Sequence, residues 1–422
     1  MNKLSSNNYF IKKIKNFFFP FYNSNEIKKL FGALEKNKEK NEKVAMFVGG
    51  CVRNFLNNEK VDDIDIATTL SPDEIIKKLA STDIKVIETG IEHGSLTLVV
   101  NKSRFEITTL RKDVSTDGRH AKINYTNDWK MDSERRDFTI NAIYMDQKGK
   151  IFDPQSGVKD LKKKIIKFIG DPEKRIKEDY LRILRYVRFF LNYSKRNHEL
   201  NIKKLIKQNI RGVVNLSKDR LFGELQKLIL SNGFIKLSKD EFCKEIILLI
   251  FPQLKNIDIF NKLNKYSKNL IHKKDFIFLL SLLVIDETDN SDYFIYKYNV
   301  SNETKKRINF IKEIYYKSPE KNIFSKKNLE KILYFQGKSY LFDLIDFELF
   351  KSKESVKKLI EFREYFSKRE KPLFPIKAKV VMEKYNIKEG KELGQKLKNL
   401  ENLWIEKNFK ISNKDIDKTF LG

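Results

Sequence analysis

The sequence predicts an α+β head of about 100 residues followed by a long all-α remainder, and three observations predict it. Across residues 44–146, short apolar runs alternate with polar residues and turn signals. After Asp153-Pro154, 3.6-residue periodicities take over and continue to the C-terminus. The chain has 422 residues, 41% of them hydrophobic. That length suits about two to four modules, and the composition is too apolar for a disordered protein.

Within the head, Val44-Ala45-Met46-Phe47-Val48 reads as a buried strand stopped by Gly49-Gly50. Residues 61–67, 95–100, 104–110 and 140–146 read as further strands or strand ends, with a helix at 73–81. Residues 111–128, poor in apolar side chains, read as a mobile loop. Helices are expected at 176–193, 219–230, 242–251, 276–285 and 303–316, and helical texture at 325–409. The first 25 residues carry four lysines, no acid, and the cluster Phe18-Phe19-Pro20-Phe21. They are expected to form a basic helical lead-in that packs its aromatics on the head. They lack both the apolar core of a secretory signal and the arginines of an organelle-targeting segment.

Composition excludes several classes. Two cysteines, Cys51 and Cys243, cannot build a disulfide framework or an all-cysteine zinc cage. His93, His120, His198 and His272 are scattered, with no HD or HExxH pairing. No run approaches the ~18 apolar residues of a membrane span, so no membrane partner is expected. The excess of 85 Lys and Arg over 57 Asp and Glu, a net charge of +28, points to a polyanion such as nucleic acid. A bias toward Lys, Asn, Ile and Phe would give the same charge as plain solvated surface. The expected compartment is the cytoplasm.

The chemistry concentrates in Val61-Asp62-Asp63-Ile64-Asp65-Ile66-Ala67. On a strand, Asp63 and Asp65 would share one face while Ile64 and Ile66 enter the core. Two adjacent carboxylates suit a divalent cation, and Mg²⁺ prefers such hard oxygen ligands. Glu106, on a neighbouring predicted strand, is the candidate third acid for a two-metal phosphoryl transfer. A solvated edge strand would show the same spacing. Upstream, Gly49-Gly50-Cys51-Val52-Arg53 ends a strand and opens a helix, where backbone N–H groups and Arg53 could approach phosphate oxygens, or form only a turn. On the helix expected at 176–190, Ile176, Tyr180, Ile183, Leu184 and Val187 fall in one sector. Glu178, Asp179, Arg182, Arg185 and Tyr186 lie opposite, as either a functional face or a row of solvated ion pairs.

These residues, taken with others in order, resemble the class II tRNA nucleotidyltransferase (CCA-adding enzyme)/bacterial poly(A) polymerase family. The matches are Gly49-Gly50-x-Val52-Arg53, Asp63-x-Asp65, Glu92-His93-Gly94-Ser95 and Glu106-Ile-Thr-Thr-Leu-Arg111. They continue through Asp117-Gly118-Arg119-His120, Asp132, Arg135-Arg136-Asp137-Phe138-Thr139-Ile140-Asn141-Ala142, Asp153-Pro154 and Gly170-Asp171-Pro172. Glu178-Asp179-x-x-Arg182-x-x-Arg185-x-x-Arg188-Phe189 follows, then Arg220, Glu224, Gly390-Lys-Glu-Leu-Gly394 and Trp404.

The resemblance implies a polymerase-β-like nucleotidyltransferase head with a mixed sheet, then an all-α neck, body and tail. The divisions are 1–25 for the lead-in, 26–150 for the head, 151–215 for the neck, 216–330 for the body and 331–422 for a tRNA-binding tail. It implies addition of CCA to tRNA 3′ ends from CTP and ATP, or addition of A alone or of poly(A). Asp63 and Asp65 would hold Mg²⁺, with Glu106 the third catalytic acid. Gly50 and Arg53 would lie at the triphosphate, and Arg136 and Asp137 at the nucleotide, unless they form a structural pair; Asn141 would brace them. Asp179 and Arg182 would read the base, supported by Arg185 and Arg188, the latter also a candidate structural residue. The loop after Arg111 would help switch from C to A. Where the family usually has Asp after Val-Arg, this chain has Asn54, so altered local hydrogen bonding is expected there.

Overall fold

The structure is a computed structural model and describes residues 20–39, 42–116, 121–316, 323–352 and 356–421. Phe18, Phe19 and the 117–120 motif lie outside the described residues, as does most of the lead-in. The chain divides into two compact units, one ending at Lys236 and the other beginning at Leu237.

The first unit begins with Phe21, whose ring meets Phe47 at 5.0 Å and Phe55 at 5.6 Å. Helix α1 (Asn25–Leu34) follows, capped by Ser24, and buries Ile27, Leu30, Phe31 and Leu34, spaced to form one helical stripe. Strand β1 (Ala45–Val48) is buried throughout. Gly49 then turns the chain into α2 (Gly50–Leu56) at φ +73°, a conformation that L side chains disfavour. Next come β2 (Asp65–Thr68), α3 (Pro72–Leu79), β3 (Lys85–Gly90), β4 (Ser95–Val100) and β5 (Ser103–Thr109). A hairpin, β6 (Arg111–Thr116) and β7 (Ala121–Tyr125), precedes α4 (Trp129–Glu134), β8 (Tyr144–Met145) and β9 (Ile151–Phe152). Seven strands form one mixed sheet in the order β3-β4-β5-β2-β1-β8-β9. Only β2 and β5 run parallel, and their register sets Asp65 beside Glu106.

The helices of this unit are α5 (Gly157–Lys163), α6 (Pro172–Glu178), α7 (Leu181–Tyr193), α8 (Leu200–Asn209) and α9 (Lys218–Ile229). Gly157 meets the preceding turn closely: an added Cβ would lie 2.0 Å from the Thr139 carbonyl oxygen. Gly157→Ala should therefore cost about 1–3 kcal/mol of stability, the scale of an overpacked core, read as a lower midpoint in thermal or urea unfolding.

Four expectations are corrected. Residues 61–64 are not strand: the ladder ends where the Glu106 N–H donates to the Ile64 carbonyl at 3.2 Å, so Asp63 is exposed and precedes β2. The stretch 140–146 holds a 3₁₀ turn (Thr139–Asn141) before the short β8. The loop at 111–128 is mostly the β6–β7 hairpin, whose two strands pair with each other in a sheet of their own.

The fourth correction concerns the helix expected at 176–193. It is broken at Asp179, where φ −154° and ψ 103° are extended, leaving α6 and α7 as separate rods. Across the break Tyr186 turns inward, 2% exposed, stacked on Phe168 at 5.9 Å with its hydroxyl 3.0 Å from His198 Nδ1. Ile183, Leu184 and Val187 are buried as expected, whereas Tyr180 is only half-buried.

The second unit is helical among its described residues: α10 (Glu241–Ile250), α11 (Lys265–Leu270), α12 (Phe276–Val284), α13 (Asn290–Tyr298) and α14 (Asn302–Tyr316), then α15 (Lys326–Gln336), α16 (Lys338–Lys351), α17 (Val356–Ser367), α18 (Ala378–Tyr385), α19 (Lys391–Glu406) and α20 (Asn413–Leu421). Its buried carboxylate Asp346 is neutralised by Lys274 and Arg363, as an ion out of water must be. Val381, Leu393, Leu400 and Phe420 form a separate small core near the C-terminus. No helix among the described residues is long and apolar enough to cross a membrane.

Candidate active site

A cleft of about 610 Å³ opens in the first unit. The turn from β1 into α2, the approach to β2, the segment after α4, and helices α7 and α9 contribute its walls. Of the residues expected from the sequence to be catalytic, metal-holding or nucleotide-binding, all line it except Glu106.

One wall is acidic. Asp62, Asp63 and Asp65 line it, and the β2–β5 register puts Glu106 beside Asp65, exposed and outside the cleft. Burial raises the Asp65 pKa first, and the charges of Glu106 and Asp63 add to that, against Arg136 and Arg53. Carboxylates crowded until one resists ionising are the donor set of a hard divalent cation. The residues present therefore fit a metal of the Mg²⁺ kind.

The basic part of the lining is tightly wired. The Arg53 Nη1 donates to Asn141 Oδ1, and Nη2 to Asn54 Oδ1 at 3.0 Å. Asn141 Nδ2 donates in turn to Asp137 Oδ1 at 3.0 Å, while Arg185 Nε donates to Asp137 Oδ2 at 2.6 Å. Asp137 is buried, which would raise its pKa, yet Arg185 and these hydrogen bonds hold it below the usual carboxylate range. Arg136 and Asp137 are not partners of each other. Arg136 donates from Nη2 to Asp132 Oδ2 at 3.1 Å, and Arg135 Nε to Asp132 Oδ1 at 2.8 Å. The Tyr144 hydroxyl reaches Asp132 at 2.7 Å, and the Arg111 N–H at 3.3 Å. Burial alone would raise the Asp132 carboxyl; Arg136, Arg135 and Tyr144 together pull it down to about 2.

The break at Asp179 positions the remaining pair. Asp179 Oδ1 accepts from the Leu181 N–H at 3.1 Å and Oδ2 from Arg220 Nη2 at 2.8 Å. Arg182 does not pair with Asp179. Its Nη1 donates to Glu178 Oε2 at 2.8 Å and to the Arg175 carbonyl at 2.6 Å, leaving Nε and Nη2 uncommitted among the described residues. Arg188 pairs with the buried Glu224. Burial lowers the Arg188 pKa, and Arg185 and Arg53 add to that against Glu224.

Sequence reasoning had not placed Arg220 and Lys227 in the site, yet both line the cleft. Their seven-residue spacing on a helix capped by Ser217, with Glu224 between them, is a one-face signal that would have marked them. Asn54 and Phe189 also line the cleft.

Comparison with known proteins bears on this geometry. Residues 45–167 match the family of the poly A polymerase head domain. The chain is 43% identical over 187 residues to the human mitochondrial CCA tRNA nucleotidyltransferase 1, covering 44% of this chain and 43% of that one. It spans about half the length of the curated vertebrate relatives it matches. A CCA-adding enzyme of Staphylococcus haemolyticus is 34% identical over 309 residues, 71% of this chain and 72% of the other. In fold, the structure of the Bacillus stearothermophilus CCA-adding enzyme in complex with CTP matches with a TM-score of 0.64 at 21% identity, covering 91% of this chain and 94% of that one. Identity of one residue in three, sustained over most of a relative's length, reflects common descent, and the chain belongs to the CCA-adding enzyme family.

Proposed function

We propose that the protein adds C, C and A to the 3′ end of tRNA, taking CTP and ATP and releasing pyrophosphate. The observation that carries this reading is that one cleft is lined by the carboxylates Asp63 and Asp65, by several arginines, and by Asp179 and Arg182. The names of its relatives agree with it. Asp63 and Asp65, with Glu106 behind them, would hold Mg²⁺, which when bound supplies positive charge for the 3′-hydroxyl and the leaving pyrophosphate. Gly50 and Arg53 face the triphosphate. Asn141, bonded to both Arg53 and Asp137, braces that part of the lining.

The base is read by hydrogen-bond polarity. Cytosine and adenine each present a ring-nitrogen acceptor beside an exocyclic amino donor, which Arg182 and Asp179 complement. Uracil and guanine present the reverse, so both contacts become repulsive. Arg182→Ala should therefore raise UTP use relative to CTP by about tenfold or more, since a good pair is worth roughly 1–3 kcal/mol of discrimination. Competition between labelled UTP and CTP reads it.

In this reading, residues 26–150 carry the chemistry, 151–215 the base-reading helix, and 216–330 and 331–422 the tRNA acceptor arm. Phosphate contacts there would fix register without reading sequence. We place it in the cytoplasm, with Cys51 and Cys243 buried and in no disulfide. The head-domain match, named for poly A polymerase, favours poly(A) synthesis as the second reading. Transcripts ending at the discriminator base, at C, or at CC, given Mg²⁺ with labelled CTP, ATP or both, separate the two. Stepwise extension stopping after the terminal A supports CCA addition; A on the CC end alone means a terminal-A enzyme. Long A tails mean a poly(A) polymerase, and no incorporation refutes both.

A further inference from the structure

The two residues proposed to read the base are held by different elements. Arg182 is tied to α6, through Glu178 Oε2 at 2.8 Å and the Arg175 carbonyl at 2.6 Å. Asp179 is tied to α9, through Arg220 Nη2 at 2.8 Å. The spacing of the pair therefore depends on how the segment leading into α9 is seated on the break between α6 and α7. Two further contacts seat it. The Arg188–Glu224 ion pair fixes α9 one helical turn beyond Arg220. Ahead of Arg220, Gly212 receives the ring of Tyr180, the residue that follows Asp179 and caps α7.

Gly212 sits in the 3₁₀ turn Ile210–Asn215, which leads to the Ser217 cap of α9. A Cβ added there would fall 2.2 Å from Tyr180 Cε1 and 2.4 Å from Cδ1, whereas ordinary contact begins near 3.4 Å. Gly212 is not in the left-handed conformation, so the turn itself does not call for glycine. The ring does, because it fills the place a side chain at 212 would take. One short piece of chain, from Gly212 to Arg220, thus grips two consecutive residues: the ring of Tyr180 and the carboxylate of Asp179. Those residues need an external grip. Asp179 is extended between two helices, and no proline or glycine stands at the break to enforce it.

We propose that Tyr180 and Gly212 are positioning residues for base selection: the ring seated on the glycine backbone holds the break so that Asp179 keeps a fixed spacing from Arg182. This deepens the reading of the Asp179–Arg182 pair, on which it rests. A side chain at 212 would push the ring off its seat and carry Asp179 with it. The choice of C over U would loosen, while Asp63 and Asp65 stayed in place.

The test is competition between labelled CTP and UTP on a transcript ending at the discriminator base. Calorimetric Kd values for the two nucleotides give the same preference without RNA, and a melting temperature is taken for each variant. Gly212→Ala should cut the preference for CTP over UTP about tenfold, the scale of one base contact. Tyr180→Ala should do the same, and Tyr180→Phe should keep the parental preference, because the atoms in contact are ring carbons. Gly212→Ala combined with Tyr180→Ala should cost no more than Tyr180→Ala alone, since the methyl then has no ring to displace; independent effects would multiply. Arg182→Ala is run beside them. If it shifts the preference while folded Gly212→Ala and Tyr180→Ala stay within twofold of the parent, whatever their melting temperatures, the proposal is overturned and the reading of the pair stands. A double variant that loses the product of the two single losses overturns it as well. If Arg182→Ala leaves the preference unchanged, the pair does not read the base, and both ideas fall. Should Gly212→Ala fail to fold, Tyr180→Ala against Tyr180→Phe decides alone.

Discussion

Replacing Asp65 by alanine should lower nucleotide addition on the order of 10³-fold or more, the several kcal/mol that a bound metal contributes to a phosphoryl transition state. Asp65 is the acid at which the local forces meet. It is the first residue of β2, beside Glu106 in the parallel ladder and next to Asp63 on the cleft wall. Its raised pKa reflects burial and then the crowding of those two carboxylates. Removing it relieves repulsion, so the variant should fold at least as well as the parent while losing the proposed metal site. Two readouts separate these effects: single-turnover incorporation of labelled CTP, and the rise in melting temperature on adding Mn²⁺ or Mg²⁺. Glu106→Gln, outside the cleft, should cost less. An Asp65→Ala protein that kept a tenth of the parental rate would take the acidic wall out of the chemistry.

Loss of Asp132 should do the largest damage to stability. Its two oxygens receive Arg136, Arg135, the Tyr144 hydroxyl and the Arg111 N–H, with no exposure to water. Asp132→Ala leaves buried cations and a hydroxyl without their acceptor, a cost of about 3–5 kcal/mol, and frees Arg136 from its place in the cleft. The pH dependence has a definite sign. The folded carboxyl titrates at about 2, below the ~3.9 of an unfolded aspartate. Its contribution is therefore complete above about pH 4 and fades as pH falls toward 2. The melting-temperature gap between the parent and Asp132→Asn should accordingly narrow across that window. A gap that stays constant from pH 5 to 2 would show that the Asp132 charge is not what holds this node.

The features that sequence periodicity made legible are those that local burial determines. Ile183, Leu184 and Val187 repeat as a helix stripe and are buried as one, and β4 runs over the residues its alternation suggested. What escaped is set by partners distant in sequence. No glycine or proline marks the break at Asp179; its carboxylate is drawn to the Leu181 N–H and to Arg220, forty-one residues on. Tyr186 looks polar in a pattern and is buried because Phe168 and His198 receive its ring and hydroxyl. Strand alternation cannot say where a ladder stops, so Asp63 was read as strand although it precedes β2. The cleft residues could be gathered as a set because motifs preserve order along the chain. Their pairings could not, since Arg182 with Glu178, and Asp179 with Arg220, are settled by side-chain reach.

Those pairings constrain anyone who would engineer the enzyme to read U and G. Exchanging the two residues proposed to read the base, Asp179→Arg with Arg182→Asp, would reverse the polarity offered there. It would also set one new guanidinium against Arg220 and one new carboxylate against Glu178, two like-charge contacts created by the exchange itself. A workable recoding is therefore a four-residue problem, in which Glu178 and Arg220 must change sign along with the pair they now anchor.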